Sequence, residues 1–565
     1  MPKNKKIKNA PPSSSWDSDV QLLTWLATCV SVISFLFYFQ HSEVLLYGDA
    51  VAHINIARRV FDSKTPGLLQ LGTVWLPLPH LLMIPFLISS EMWRRGEGGS
   101  FPSMAAYVLA VIGMFRLVRG SLSRVVVTDG QARIAAWTAA LVFAANPNLI
   151  YMQATAMGEA LYLAFFLWAV VYFSEAVRGD AKAINKCGLC VAAASLTRYD
   201  GWFLAAGMAG IVLIVNVLPE GVLGSQGSRL RLPRAALVKF LLIVAAAPVL
   251  WLTYNALVYR NPLEFENGPY SAKAIERKTQ STGNPGHPGG GNLLMASQFF
   301  LKSGEVNMAE NQWLQRAWVL LALAAIAGAV ARYRLHRPAP AHASEAAWTP
   351  LLLLLLVPVP FYALSVAYGG VPIFVPMWWP FSHYNVRYGL QLLPAFAAAV
   401  GMLVNLALRA ETWKGRIRGA CVLGIFAVVM ASYTSIWRAG PICLKEAQLN
   451  MRTRNQLETD LAVWLRHVPA GSTLLMYLGD HVGAVQQAGI PLKRVINEGN
   501  HRTWKQPVDA DGLWERALAD PAHYADYVVA FEGDSVWQAM QARHLPEIVE
   551  IHVSGQARAV IYRAR

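Results

Sequence analysis

The run VQLLTWLATCVSVISFLFYF, from Val20 to Phe39, carries no charged residue. A helix of about 20 such residues rises about 30 Å, the thickness of a bilayer's hydrocarbon core. The run follows Lys3, Lys5, Lys6 and Lys8. A secretory signal peptide has a shorter apolar core and ends at a small-residue cleavage site, and no such site precedes His41. Val20 to Phe39 therefore reads as a retained first span, with residues 1–19 as a basic cytoplasmic tail.

The same pattern recurs outward from this run. Phe101 to Val118 is a second span. The stretch from Ala135 to Ser174 is interrupted only by Glu159 and is long enough for two spans, turning at Asn146, Pro147 and Asn148. Cys187 to Thr197, Gly201 to Leu218, Phe240 to Leu257, Trp313 to Ala331, Trp348 to Val366, Tyr388 to Leu408 and Gly419 to Trp437 follow. The total is about eleven helices, so the fold class is a mostly α polytopic membrane protein. The segment from Leu76 to Ser90 is apolar but holds Pro77, Pro79 and Pro85, which favours a membrane-surface or re-entrant segment over a full span.

Composition agrees with this reading. Only 15% of the 565 residues are charged and 55% are hydrophobic, against roughly 25% charged in soluble domains. A disordered chain is excluded, and the balance argues against an ordinary cytosolic enzyme. The 49 Lys and Arg exceed the 34 Asp and Glu, for a net charge of +15. Most of the excess lies in short loops that would all be on one side: Arg119, Arg124 and Arg133; Arg178, Lys182 and Lys186; Arg229, Arg231 and Arg234; Arg332, Arg334 and Arg337; Arg409, Lys414, Arg416 and Arg418. By the positive-inside rule those loops are cytoplasmic, and everything after Trp437 is outside. No basic stripe interleaved with aromatics exists, which argues against nucleic acid. Five cysteines are too few and odd in number for a disulfide framework, and the lone Cys187–Cys190 pair is a packing feature rather than a zinc site.

Three regions result: the tail 1–19, a transmembrane module 20–438 with long outer segments 41–102 and 260–312, and an outer α/β domain 439–565. In that domain Glu446 to Arg466 and Asp534 to Arg543 read as helical. Thr473 to Leu478, Tyr527 to Phe531, Glu547 to Val553 and Ala557 to Tyr562 read as strands. Gly479, Asp480, His481 and Gly483 do not make a GxGxxG fingerprint. GNPGHPGGGN, Gly283 to Asn292, reads as a mobile loop.

Ionisable groups near a membrane are costly and mark function. Those outside the basic loops gather on the outer side: Asp49, His53, Arg58 and Arg59 in YGDAVAHINIARRVFD; Glu159; Arg198 and Asp200; His383, Asn385 and Arg387, next to Tyr388; and Lys273, with Tyr270, in the long loop. A helix at Asp49 puts Asp49 and His53 on one face, where the carboxylate serves either as an N-cap or as a general base. Arg198 either pairs with Asp200 or faces a ligand, and Arg387 either snorkels to the interface or does the same.

The strings GDAVAHINIARRVFDSKTPGLLQLGTVWLPLPH, NPNLIYMQATAMGEALYL, SLTRYDGW and HYNVRYGLQLLP, in this order and on a common side, resemble the GT-C glycosyltransferases. Within these the chain is most similar to bacterial lipid A aminoarabinose transferases and protein O-mannosyltransferases. The resemblance covers residues 20 to 410. It implies a glycosyltransferase of the bacterial cytoplasmic membrane that moves a hexosyl or pentosyl group from a polyprenyl-phosphate donor to a hydroxyl of a glycolipid, polysaccharide or protein, with inversion. Asp49 takes the place of the family's first-loop acid, though Ala50 stands where a second acid is common, and Glu159 takes the place of a further acid. Arg58, Arg198, Arg387 and Lys273 become candidates for holding the donor phosphate. His53, Asp200, Tyr270, His383, Asn385 and Tyr388 become candidates for contacting the substrates. No cofactor is required; a divalent cation on Asp49, Glu159, Asp200 and His53 is possible. Two other readings stay open, a secondary transporter and an O-antigen-ligase-type enzyme with a diphosphate donor. Against transport, the second half repeats neither GDAVAH nor TRYDGW.

Overall fold

The computed structural model describes residues 14–122, 130–178, 180, 182–218, 231–281, 283, 286–335, 349–410, 412–500, 511–543 and 545–565. Lys3, Lys5, Lys6, Lys8, Arg124, Arg229 and Arg337 lie outside them, as does part of the Gly283 to Asn292 loop.

Nine helical segments among the described residues are long and apolar enough to cross a bilayer. They are Ser18–Gln40, Glu97–Leu122, Glu159–Val177, Asp200–Val217, Arg234–Tyr259, Gln312–Ala331, Leu351–Tyr368, Val386–Leu408 and Gly415–Leu465. A tenth is made by Gly130–Ala144 and Pro147–Gln153 together, bent by 62°. The bend has a local cause. The Asn146 side chain accepts from the Asn148 and Leu149 amides, both at 3.0 Å, and Pro147 starts the new helix where no amide is needed. The expected span at Cys187 to Thr197 is the helix Ala183–Ser195, whose 13 residues cover only about 20 Å. With the bent pair and this short helix, which runs from the basic end at Lys182 to the opposite end just before Arg198, the nine long segments make the expected eleven among the described residues. The proline-bearing segment folds as the short helix Leu78–Leu87.

Large apolar side chains project outward from these helices: Ile33 is 68% exposed, Leu250 64% and Leu423 70%. Water would penalise each of them, whereas lipid would not. The protein is a multi-pass membrane protein. At one end of the bundle the buried Asp19 bridges Arg119 at 2.9 Å and Arg133 at 2.6 Å, so two of the arginines read as topological also tie the first span to its neighbours.

At the other end stands a five-stranded sheet made of β1 (Leu474–Met476), β2 (Val495–Ile496), β3 (Tyr527–Phe531), β4 (Glu547–Ile551) and β5 (Ala559–Arg563), ordered β2-β1-β3-β5-β4. β1 pairs parallel with β2 and β3, and β5 pairs antiparallel with β3 and β4. The two-residue β2 is too short for alternation to reveal it, and the sequence reading missed it. The sheet's two faces follow the strand period of two. Leu474, Met476, Val529 and Ile561 join the core shared with the membrane helices, while Leu475, Val528, Val560 and Tyr562 pack on Trp514 and Met540. Polar contacts complete the docking: Asn55 donates to Gln486 Oε1 at 2.6 Å, Gln486 to the Trp93 carbonyl at 2.7 Å, and the Lys493 amide to Asp62 at 3.1 Å.

Candidate active site

The helix Gly48–Arg59 follows the first span and starts the site. Its N-cap is Tyr47, with no side-chain cap bond; Asp49 lies one position inside the first turn and is not the cap. Its carboxylate instead accepts from Arg387 Nη2 at 2.6 Å.

Arg387 sits in the turn Val386–Leu392 that opens a membrane span. Its Nη1 donates to Glu446 at 2.6 Å and its Nε lies 3.3 Å from Glu159. Glu159 also pairs with Arg198 Nη1 at 3.1 Å. Arg198 continues to Asp200 at 3.4 Å and donates from Nη2 to the Tyr362 hydroxyl at 2.8 Å, which in turn donates to Asp200 at 3.1 Å. Tyr388 lies beneath both guanidiniums, 4.8 Å from that of Arg198 and 5.0 Å from that of Arg387. Tyr47 stacks on Arg387 at 5.0 Å and hands its own hydroxyl to the Cys443 carbonyl at 2.8 Å. Asp49, Glu159, Arg198, Asp200, Arg387 and Tyr388 thus form one network, all at helix starts or in the loops before them, at the end of the bundle that carries the sheet.

Burial divides the carboxylates. The Glu159, Asp200 and Glu446 side chains are 1%, 2% and 0% exposed, whereas that of Asp49 is 40% exposed. A buried charge is tolerated when it is paired and hydrogen-bonded. Glu446 meets that condition in full, since it also accepts from the Asn385, Val386 and Arg387 amides at 3.1, 2.7 and 3.4 Å. Glu159 Oε2 and Asp200 Oδ1 are buried without a hydrogen-bond partner among the described residues, so the network retains acceptor capacity facing inward.

The remaining candidates fall elsewhere. Arg58 is buried and committed: its Nε pairs with Asp62 at 2.8 Å, its Nη1 donates to the Leu87 and Ile88 carbonyls, and its Nη2 to Ser90. The choice of Arg58 as a phosphate ligand is thereby corrected: its polar hydrogens hold the first outer segment together. Lys273 pairs with Glu266 at 2.5 Å, and Tyr270 is hydrogen-bonded to Tyr477; neither joins the network. His53 Nδ1 lies 2.8 Å from His80 Nε2, beside Asp49 in charge range but bonded away from it. Asn385, in a left-handed conformation at φ 56°, supplies its amide to Glu446 and its side chain to the Pro372 carbonyl at 2.8 Å, which shapes the turn before Arg387. His383 is only partly buried, and its carbonyl accepts from Asn450 at 3.0 Å.

Reasoning from the sequence missed Glu446, Tyr362, Tyr47 and His80. For Glu446 a signal existed: an acid in the first turns of a helix that begins just past the last span. Among the described residues no three of His, Cys, Asp and Glu gather as metal ligands; Glu159 and Asp200 are turned to Arg198.

No protein-family model and no curated protein matches the chain. Solved structures do. ArnT from Cupriavidus metallidurans bound to undecaprenyl phosphate is similar at a TM-score of 0.55 and 14% identity, over 98% of this chain and 99% of that one. Its apo state gives 0.50 and 13% over the same shares. The apo oligosaccharyltransferase of Archaeoglobus fulgidus gives 0.49 and 13%, over 91% of this chain and 69% of that one. The likeness to the two ArnT structures shows that the chain shares their fold, the GT-C fold.

Proposed function

We propose that this GT-C protein is an inverting glycosyltransferase that moves a sugar from a polyprenyl-phosphate donor to an acceptor hydroxyl at the face carrying the sheet. The observation that carries the reading is the pair Asp49–Arg387, an exposed carboxylate on a buried guanidinium. The GT-C fold supports it, as does the undecaprenyl phosphate bound by the similar ArnT structure.

Three carboxylates surround Arg387, and only Asp49 reaches solvent. A lipid phosphate gains access to Arg387 Nη2 by taking the place of Asp49, while Glu446 and Glu159 hold the guanidinium in position. The displaced Asp49 then carries an uncompensated negative charge beside the anomeric carbon and serves as the base. It takes the acceptor's proton as the acceptor oxygen bonds to the anomeric carbon. The bond from that carbon to the phosphate oxygen breaks with its electron pair, leaving the free lipid phosphate. Arg387 and Arg198 stabilise the charge that grows on it, so no general acid is needed. In this reading arginines supply the positive charge; transfer that stopped on chelation and returned with a divalent cation would put a metal in that role.

The test is Asp49→Asn. Sugar transfer should fall by roughly 100- to 10,000-fold, the usual range for a lost general base, while undecaprenyl phosphate binding is retained or tightened because its competitor for Arg387 is gone. Normal transfer by a folded Asp49→Asn protein would sink the assignment of the base. Binding of undecaprenyl diphosphate in preference to the monophosphate would favour a diphosphate-linked donor. A transporter would be expected to place its ionisable cluster near mid-membrane, whereas Glu159, Asp200 and Arg387 begin or directly precede their helices.

A further inference from the structure

The transfer chemistry leaves one buried pair beside Asp49 without a role, His53 and His80. His53 stands four residues after Asp49 on the helix Gly48–Arg59. Side chains on a helix lean toward its start, so this imidazole lies over the turn that carries Asp49. Its ring is fixed by Trp75 and by His80, with ring centres 5.0 Å away in each case. His53 Nδ1 lies 2.8 Å from His80 Nε2, so one of these nitrogens donates to the other. The two nitrogens of an imidazole point to opposite sides of the ring, and His53 Nε2 therefore faces away from His80. It has no hydrogen-bond partner among the described residues. The charged groups that act on this ring are Asp49, most strongly, then Glu159, Arg387 and Arg198, all members of the network.

Burial lowers both imidazoles below the usual histidine range, so each is neutral at pH 7 and carries one N–H. His80 Nδ1, buried without a partner among the described residues, decides where those protons sit. Were His53 the donor, His80 would keep its proton on Nδ1 as an enclosed N–H with no acceptor, and His53 would turn a bare lone pair toward Asp49 and Glu159. Both are avoided when His80 Nε2–H donates to His53 Nδ1, because His53 then carries its hydrogen on Nε2, toward the carboxylates.

We infer that His53 is a positioning residue for the base: when a lipid phosphate takes Arg387 Nη2, the Asp49 carboxylate turns along its own helix and accepts from His53 Nε2–H. One carboxylate oxygen is then held, and the other is left to take the acceptor's proton. The helix offers no competitor, since the positions one turn after Asp49 are Ala52 and His53 and only His53 has a donor. The inference rests on the displacement of Asp49 by the donor phosphate and extends it, because a carboxylate freed from Arg387 needs a second donor to keep its direction.

The experiment is a double-mutant cycle on undecaprenyl phosphate binding to the full chain, read by native mass spectrometry in detergent. This probe carries no sugar, so a lost sugar contact cannot contribute. His53→Phe should weaken binding by about five-fold or more, as for one lost hydrogen bond to a carboxylate. His53→Gln, which keeps an N–H near the place of Nε2, should stay within about two-fold of the wild type, and in an Asp49→Ala background His53→Phe should also change the affinity by less than about two-fold. No loss in His53→Phe, or the same loss in the Asp49→Ala background, overturns the role. A second measurement does not depend on the folding of His53→Phe. In 15N-histidine-labelled wild type, the signal that His53→Gln removes should report a proton on Nε2 and should shift on addition of undecaprenyl phosphate, but not in Asp49→Ala. A proton on Nδ1, or a shift that persists in Asp49→Ala, overturns the role. Failure of the wild type to bind undecaprenyl phosphate at all overturns the donor reading and this role with it, whereas binding without coupling between positions 49 and 53 overturns the role of His53 alone.

Discussion

The guanidinium of Arg387 is fixed from below by Glu446, from the side by Glu159 and from above by Asp49. Replacing Glu446 by Gln removes a charged acceptor from that guanidinium and from three backbone amides. Hydrogen bonds to charged groups contribute about 1.5–3 kcal/mol, and the two carboxylates that remain on Arg387 limit the loss, so we expect Glu446→Gln to lower stability by about 2 kcal/mol, read as an earlier thermal transition in detergent. Transfer should fall with it, because Arg387 is no longer held. At this scale the sequence was legible where polar residues interrupt apolar runs: Asp49, Glu159, Arg198, Asp200 and Arg387 all stand out against their neighbours and meet in space. Glu446 stood out less, because its helix mixes apolar residues with many other charged and polar ones, and only its place just past the last span set it apart. Arg58 and Arg59 differ by about 100° around one helix, and a sequence does not say which direction is inward. The one available sign was Asp62, four residues after Arg58 and placed to pair with it.

At the scale of the element, the turn Val386–Leu392 shows how little space the site allows. A β-carbon on Gly389 would lie 2.2 Å from the Ser303 carbonyl oxygen, so the turn can approach the helix Leu293–Met308 only with glycine there. Gly389→Ala must push the two apart, and we expect a loss of about 3 kcal/mol, at the upper end for overpacking, together with displacement of Arg387 two residues away. Equal expression and melting in Gly389→Ala would contradict the packing. The C-terminal sheet offers a pH readout. His481 is 7% exposed and stacks on Phe531 of β3 at 4.1 Å. Burial, with Arg454 nearby, pulls its imidazole down from 6.5 to about 4, and Asp480 opposes this weakly. A depressed histidine pKa means that the folded state binds fewer protons than the unfolded one. The stabilisation is complete above pH 6.5 and declines as the pH falls toward 4. The loss between pH 7 and pH 5 is about 2 kcal/mol, which thermal melts should show and His481→Gln should largely abolish. The strands β1, β3 and β5 were legible from their apolar runs, and β4 from its branched Ile548, Val549 and Ile551. β2 was not, because two residues carry no period.

At the scale of the molecule, the same helices carry opposite chemistry at their two ends. Glu159 begins a helix that Arg178 follows, and Arg387 opens a segment that ends before Arg409. The charge asymmetry that suggested a path through the membrane therefore also separates the acid–arginine network and the sheet from the basic loops. Span length was less legible than span position, since hydropathy marks Ala183–Ser195 as apolar but does not show that the helix has only 13 residues. The proposed outer-face transfer requires the orientation that the positive-inside rule predicts, with the basic ends in the cytoplasm and the network, the sheet and any acceptor outside. A pair of exposed positions separates the alternatives. Lys182 lies before the helix Ala183–Ser195 at the basic end, and His467 lies after the helix Ile442–Leu465 at the sheet end; both are exposed. In a chain whose five native cysteines are replaced by alanine, a membrane-impermeant maleimide applied to intact spheroplasts should label His467→Cys at once. Lys182→Cys should label only after permeabilisation. The reverse pattern would put the sheet in the cytoplasm, where the donor and acceptor would have to be met from the other side, and would remove the outer-face transferase reading while leaving the fold untouched.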